Sequence, residues 1–160
     1  MVREKTAKII VVSNRIYSGE RDNTPGQLAT DMLSDAGFAF SDPVIVPEGA
    51  DRVREQMRGG ISQGVSLVLT CGGTGFGPHN LTPEETLELI STRLNGLETQ
   101  VLIEGLKNTP RAGLSRGVIG LTTREPGGTL VVNAPASRGG VRDTLKVILG
   151  LWPNLSEWIG

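Results

Sequence analysis

Leu67-Val-Leu-Thr-Cys-Gly-Gly-Thr-Gly-Phe-Gly-Pro-His-Asn-Leu-Thr-Pro-Glu-Glu-Thr86 joins an apolar run, a glycine-rich turn and a helix start in one stretch. Thr82 fits a helix cap, Pro83 the first helical position and Glu85 the place of a capping-box carboxylate. A strand that opens through glycines onto a helix N-terminus is one way to build an anion site. Backbone N–H groups reach a phosphate with no Cβ in the way, and the helix end adds partial positive charge. A plain tight turn is the competing reading of Gly72-Gly-Thr-Gly75. Two nucleotide motifs are excluded. A Walker A loop ends in Gly-Lys-Ser/Thr, and no lysine lies between Leu67 and Leu106. A dinucleotide fingerprint fails as well, because the place of its last glycine, counted from Gly73 and Gly75, is Pro78.

Working outward, Lys8-Ile-Ile-Val-Val-Ser13 is β-branched without polar alternation, the pattern of a strand buried on both faces of a parallel sheet. Thr24-Pro25-Gly26-Gln27 repeats the helix-start logic, with Thr24 as cap; Leu28, Met32 and Ala36 give the stripe and Gly37 the stop. Residues 43–47, Pro-Val-Ile-Val-Pro, form a short strand bracketed by prolines. Val53, Met57 and Ile61 mark an amphipathic helix that Gly64 closes before the strand over residues 66–70. Beyond the opening stretch, Leu87, Ile90 and Leu94 form the expected buried face of the capped helix. Leu97, Val101 and Leu106 suggest another helix, ended by Pro110. Residues 117–122 and 129–133 read as a hairpin across a Pro-Gly-Gly turn. Val141, Leu145, Ile148 and Trp152 place a last helix against the sheet. The order β-α-β-α-β-α-α-β-β-α predicts a three-layer α/β/α sandwich with a mostly parallel central sheet.

In such sheets ligands bind at the carboxyl ends of the strands. That rule gathers Ser13 and Asn14, then Glu48 and Asp51, then residues 72–80, then residues 133–138 along one edge, with Arg15, Arg116 and Arg138 nearby. Glu48, Asp51 and Asp22 are candidates to hold Mg2+, which binds through one or two carboxylates plus substrate phosphates; ordinary solvated acids are the alternative. His79, the only histidine, reads as an acid/base or phosphate ligand, or else as a solvated loop residue. Cys71 reads as a small apolar filler, and Glu84 and Glu85 as residues facing the helix dipole.

At 160 residues, 38% hydrophobic and 21% charged, the chain is expected to form one domain over residues 1–160. The net charge of -1 excludes a general affinity for nucleic acid or an acidic membrane surface. Aromatic residues at 4% argue against a stacking platform for single strands. A single cysteine fits a reducing compartment, and the charged start followed by a short apolar run reads as neither signal peptide nor membrane span. The expected address is cytoplasmic.

Gly72-Gly-Thr-Gly75 followed by Asn80-Leu-Thr-Pro-Glu-Glu-Thr86 resembles the Gly-Gly-Thr-Gly…Asp-x-Thr-Pro-Glu-x-Thr signature of the MoaB/Mog family of molybdenum-cofactor biosynthesis proteins, the molybdopterin adenylyltransferases. Ser13-Asn14-Arg15 with Ser18-Gly19 is similar to the family's Ser-Asp-Arg…Ser-Gly, and Val46-Pro47-Glu48 to its Val-Pro-Asp. Leu114-Ser115-Arg116 matches Leu-Ser-Arg, and Asn133-Ala-Pro-Ala-Ser137 stands where the family has Asn-Leu-Pro-Gly-x-Pro. The likeness covers nearly the whole chain.

The resemblance implies a mixed-sheet α/β/α fold, commonly a homotrimer, that binds molybdopterin and Mg-ATP, transfers AMP to the molybdopterin terminal phosphate and releases diphosphate. Other molybdenum-cofactor biosynthesis proteins are implied partners. By the same resemblance Glu48 and Asn80 stand at catalytic places, and Asp51, a carboxylate of the same edge, is the expected catalytic helper that holds Mg2+ with Glu48. Ser13, Asn14, Arg15, Gly72, Gly73, Thr74, Gly75, Ser115, Asn133, Pro135, Ala136 and Ser137 stand at places that contact nucleotide and molybdopterin. Four positions depart from the pattern. Glu48 adds a methylene, Asn80 and Asn14 replace acids, and Pro135-Ala136-Ser137-Arg138 replaces Pro-Gly-x-Pro. An amide offers a metal an oxygen but no charge, and it is no base. The expectation is an adenylyltransferase; the alternative is a catalytically weakened carrier or assembly protein that binds molybdopterin or nucleotide.

Overall fold

The apolar runs read from the sequence lie side by side in the computed structural model, which describes residues 3–160. In chain order the elements are β1 (Thr6–Val12), α1 (Asn14–Tyr17), α2 (Thr24–Asp35), β2 (Ala39–Phe40), β3 (Val44–Val46), α3 (Asp51–Ser62), β4 (Leu67–Cys71) and α4 (Thr82–Leu89). Then come β5 (Thr92–Arg93), α5 (Asn95–Leu106), a 3-10 turn (Pro110–Leu114), β6 (Ile119–Leu121), β7 (Leu130–Ala134), α6 (Arg138–Gly150) and α7 (Trp152–Ile159). Among the described residues all seven strands join one sheet in the order β2-β1-β4-β7-β6-β5, with β3 also on β1. Pairing is parallel from β2 and β3 through β1 and β4 to β7, and antiparallel for β5-β6 and β6-β7.

Both faces of the sheet are covered, which is why the strands are uninterrupted apolar runs. Ile9 and Val11 point into the larger core, with Leu33 of α2 and Val141, Leu145 and Ile148 of α6. Ile10 and Val12 point the other way, onto Val53 and Met57 of α3. Each such side chain, taken fully out of water, contributes about 1.5–3 kcal/mol. Cys71 sits in the larger core, where burial pushes its thiol up to about 12. It is the filler the sequence suggested. No helix among the described residues is long and apolar enough to cross a membrane.

The expected β6-β7 hairpin is present, turning through Gly127 at φ 92°. Several local expectations are corrected. Asn23, not Thr24, caps α2, its Oδ1 accepting from the Gly26 N–H at 3.0 Å. Leu81 occupies the cap position of α4 without a side-chain bond, and Thr82 lies inside the helix and buried. Glu85 turns to Arg54 at 3.2 Å instead of closing a capping box. Helix α4 ends at Leu89 because Ile90 is extended, so Leu87 is exposed and Leu94 leads into α5. Strands β2 and β5 are two residues each, too short to leave a periodic signal. The last helix breaks at Leu151 before Pro153, which has no N–H to continue the ladder. Trp152, just past the break, packs edge-on to Phe38 with centroids 4.9 Å apart.

Candidate functional site

Strands β3, β1, β4 and β7 run parallel, so their carboxyl ends share one edge and their exit loops meet there. After β1, the Ser13 Oγ accepts from the Ile16 N–H at 3.2 Å and caps α1. Arg15 points outward, 3.7 Å from Glu20. Asn14 crosses to the loop after β3. Its Oδ1 accepts from the Glu48 backbone N–H at 2.8 Å, and its Nδ2 donates to Glu48 Oε2 at 3.3 Å. An aspartate would keep the first bond and turn the second into repulsion. Asn14 thus suits a neighbouring carboxylate at Glu48.

The turn after β4 requires glycine for steric reasons. Gly72 has φ 119° and Gly73 φ 69°. A Cβ on Gly72 would stand 2.0 Å from the Val12 carbonyl oxygen, and one on Gly73 2.2 Å from Thr82 Oγ1. The N–H groups of Gly73, Thr74 and Gly75 have no acceptor among the described residues. The buried Thr82 hydroxyl, beneath Gly73, has none either. These are unused donors at the turn that the sequence offers as a phosphate cradle or as a plain tight turn.

Farther along, the Asn80 Oδ1 accepts from the Gly77 N–H at 3.1 Å. Arg116 holds the loop from outside: its Nε donates to Gly75 O and its Nη2 to Asn80 O, each at 2.8 Å. The same guanidinium grips Glu84 of α4, with Nη1 2.6 Å from Oε2. Arg116, expected as a cation near the pocket, borders the cavity described below, and its guanidinium is at the same time a brace for the loop. His79 is exposed at the loop tip.

The hydrogen bonds from Arg116 hold the Glu84 carboxyl below its ordinary value. A depressed folded-state value means that the pair stabilises at neutral pH and that the gain is lost as pH falls through the carboxylate range. Glu84→Gln is therefore expected to reduce stability by less than about 1 kcal/mol at pH 7, since the pair is half exposed. Urea unfolding of wild type and variant should converge at low pH, and a gap that widens there would sink this account.

A cavity of about 810 Å3 opens at the same edge, between the glycine loop, the 3-10 turn, α5 and α6. Of the expected site residues, Thr74, Gly75, Ser115, Asn133, Pro135, Ala136 and Ser137 line it. Ser115 Oγ lies 3.2 Å from Thr74 Oγ1. Ser137 caps α6, accepting from the Gly140 N–H at 3.0 Å, and the first turn of α6 carries no acid. Asn133 has less freedom than a ligand residue would. Its Nδ2 donates to Thr70 and Thr86 at 3.0 and 2.9 Å, and its Oδ1 accepts from the Val118 N–H at 3.1 Å. It pins β7 to β4, α4 and the strand approach before β6.

Ser13, Asn14, Arg15, Glu48, Asp51, Gly72, Gly73 and Asn80 lie outside the lining of that cavity. Asp51 is 90% exposed in its side chain, and its Oδ1 accepts from Arg54 at 2.7 Å. No three acids, histidines or cysteines gather into a metal-sized group among the described residues. Sequence reading missed the far wall, where Asn108 donates to the buried Asp143 at 3.1 Å and Arg93 pairs with Glu98 at 2.9 Å. Asn108 and Asp143 lie 35 residues apart, so no local pattern announces them.

A family model described as "probable molybdopterin binding domain" matches residues 8–155. A solved structure of a putative molybdenum cofactor biosynthesis protein from Corynebacterium diphtheriae is 42% identical, covers 98% of this chain and 99% of its own, and superposes with a TM-score of 0.90. Molybdenum cofactor biosynthesis protein B of Escherichia coli K12 is 31% identical over 143 residues, which are 88% of this chain and 81% of that protein. The molybdopterin adenylyltransferase of Haemophilus influenzae is 36% identical over 84 residues, 52% of this chain and 41% of its own. The chain spans less than half, 15% to 45%, of several longer curated relatives. With the fold, the glycine turn and the family match over residues 8–155 in agreement, the chain belongs to the molybdopterin-binding domain family of molybdenum-cofactor biosynthesis proteins.

Proposed function

We propose that residues 1–160 act as one domain that binds molybdopterin and Mg-ATP, transfers AMP to the terminal phosphate of molybdopterin and releases diphosphate. The observation that carries this reading is the Glu48 carboxylate, held by Asn14 at the same strand-end edge as a glycine turn with unused N–H groups. The name of the Haemophilus relative points the same way.

An oxygen of the molybdopterin phosphate attacks the α-phosphorus of ATP, a P–O bond forms, and the bond from the α-phosphorus to the bridging oxygen of the diphosphate breaks. A phosphate monoester is largely dianionic at neutral pH, its second pKa being about 6, so the nucleophile needs no base. Asn80 therefore lacks a charge but omits no proton-transfer step. Its Oδ1 holds the loop at Gly77 as an aspartate oxygen would. The protein's task is positioning and charge neutralisation. The N–H groups of residues 73–75 and the first turn of α6 orient phosphates, and Ser115 and residues 133–137 form the neighbouring wall.

The donor set fits Mg2+ bound chiefly by substrate phosphates. Glu48 has one oxygen not engaged by Asn14, and Asp51 has one not engaged by Arg54. When bound, the ion draws charge from the phosphates and from the departing diphosphate.

The second reading, a carrier that binds without turnover, is favoured only by the neutral Asn80. Incubation with molybdopterin and Mg-ATP should yield adenylylated molybdopterin and diphosphate in equal amounts. Tight binding without product would establish the carrier. We further place the protein in the cytoplasm as a homotrimer, working beside other molybdenum-cofactor biosynthesis proteins. The exposed Leu102, Ile103, Leu106 and Leu114 support association. Light scattering should give three times the 17.0 kDa of one chain; a monomer mass would refute the trimer.

A further inference from the structure

Five arginines, Arg21, Arg93, Arg111, Arg116 and Arg142, line the cavity against two acids, Glu98 and Asp143. Most of this positive charge is engaged. Arg93 lies on Glu98 at 2.9 Å, Arg116 on Glu84 at 2.6 Å, and Arg142 directs its Nε to Asp143 at 3.4 Å. The guanidinium groups of Arg21 and Arg111 have no ion-pair or hydrogen-bond partner among the described residues.

Their placement is not scattered. Helix α6 packs against α2 and against α5. Arg21 lies in the loop just before α2, and Arg111 in the 3-10 turn just after α5. The two therefore border the cavity from different walls, and Gly139 and Gly140 of the acid-free first turn of α6 border it as well. Unpaired guanidinium on two walls of a cavity that the first turn of α6 also borders makes a basin suited to a polyphosphate.

We infer that Arg21 and Arg111 form a polyphosphate subsite that receives the β- and γ-phosphates of the nucleotide and holds the diphosphate as it leaves. The inference rests on the adenylyl-transfer reading for the identity of the nucleotide. Negative charge grows on the bridging oxygen as the bond to the α-phosphorus breaks, and a planar guanidinium meets two phosphate oxygens at once. Both arginines are exposed at the rim, so a product held there has an open route to solvent.

The test is calorimetric titration of the whole chain with Mg-ATP, AMP and inorganic triphosphate. It compares wild type, the double variant Arg21→Ala/Arg111→Ala, and Arg58→Ala, an exposed arginine of α3 outside the cavity. The double variant should lose about tenfold or more in affinity for Mg-ATP and triphosphate while AMP changes less than about twofold. Arg58→Ala should change none of them. Thermal melting checks that the double variant is folded, and the single variants Arg21→Ala and Arg111→Ala carry the comparison if it is not. Equal weakening of ATP and AMP, or no weakening, overturns the subsite, as does a wild type that binds no triphosphate. Arginine-dependent triphosphate binding without adenylylated product refutes adenylyl transfer and leaves the subsite standing. Product formation with an unchanged KM for ATP in the double variant does the reverse.

Discussion

Gly72→Ala is expected to lower the unfolding free energy by about 3 kcal/mol or more, a large effect for one methyl group. Two causes add. The residue sits at φ 119°, a conformation that a side chain strongly resists. The new Cβ would also stand 2.0 Å from the Val12 carbonyl oxygen and 3.2 Å from the Ala136 Cβ. Val12 ends β1 and is paired to β3, so its carbonyl cannot swing away without disturbing the centre of the sheet. Gly64→Ala separates the two causes. Gly64 has φ 75°, yet a Cβ there meets nothing within 4 Å, so only the backbone preference of about 1–2 kcal/mol applies. Urea unfolding followed by tryptophan fluorescence measures both variants. Equal losses would mean that the contact with Val12 is unimportant.

Glu48→Gln is expected to reduce kcat for adenylyl transfer by about 100-fold, or about 2.7 kcal/mol, with little change in folding. The substitution keeps size and the backbone bond to Asn14 but removes the charge offered to the phosphate-bound cation. Asn14→Asp attacks the same feature from the other side. It replaces the amide donor 3.3 Å from Glu48 Oε2 with a second carboxylate. Like charges so close repel, so the variant should turn Glu48 away from its place and fall below wild type in rate. Changing Glu48→Asp in the same chain shortens the opposing arm and should restore part of the loss. The double change should then be milder than the sum of the singles. Initial rates of diphosphate release for the singles and the double decide this, and an additive pattern would show that Asn14 does not position Glu48.

The central sheet was legible because its strands are buried on both faces, so Ile9 to Val12 and Leu67 to Leu69 carry no polar interruption that mimics another structure. The shared edge then followed from parallel pairing alone. Helix caps were read less well. Thr82 has the right type and spacing for a cap, yet packing beneath Gly73 draws it into the helix, and only the close approach seen in three dimensions shows why. Asn133 was assigned to a ligand wall from its place at the end of the last strand and from the family resemblance. Its amide is committed to partners 15, 47 and 63 residues away, which no local pattern encodes. The Asn14–Glu48 pair spans 34 residues and escaped for the same reason.

The Arg116 brace bears on binding entropy. Immobilising a free loop residue costs about 1–2 kcal/mol, and a site built on loose chain surrenders that from its affinity. Residues 75–80 are tied by Arg116 at both ends and by Asn80 within, before any ligand arrives. A phosphate bound at this edge would not have to order residues 75–80, so that part of the association cost would be absent.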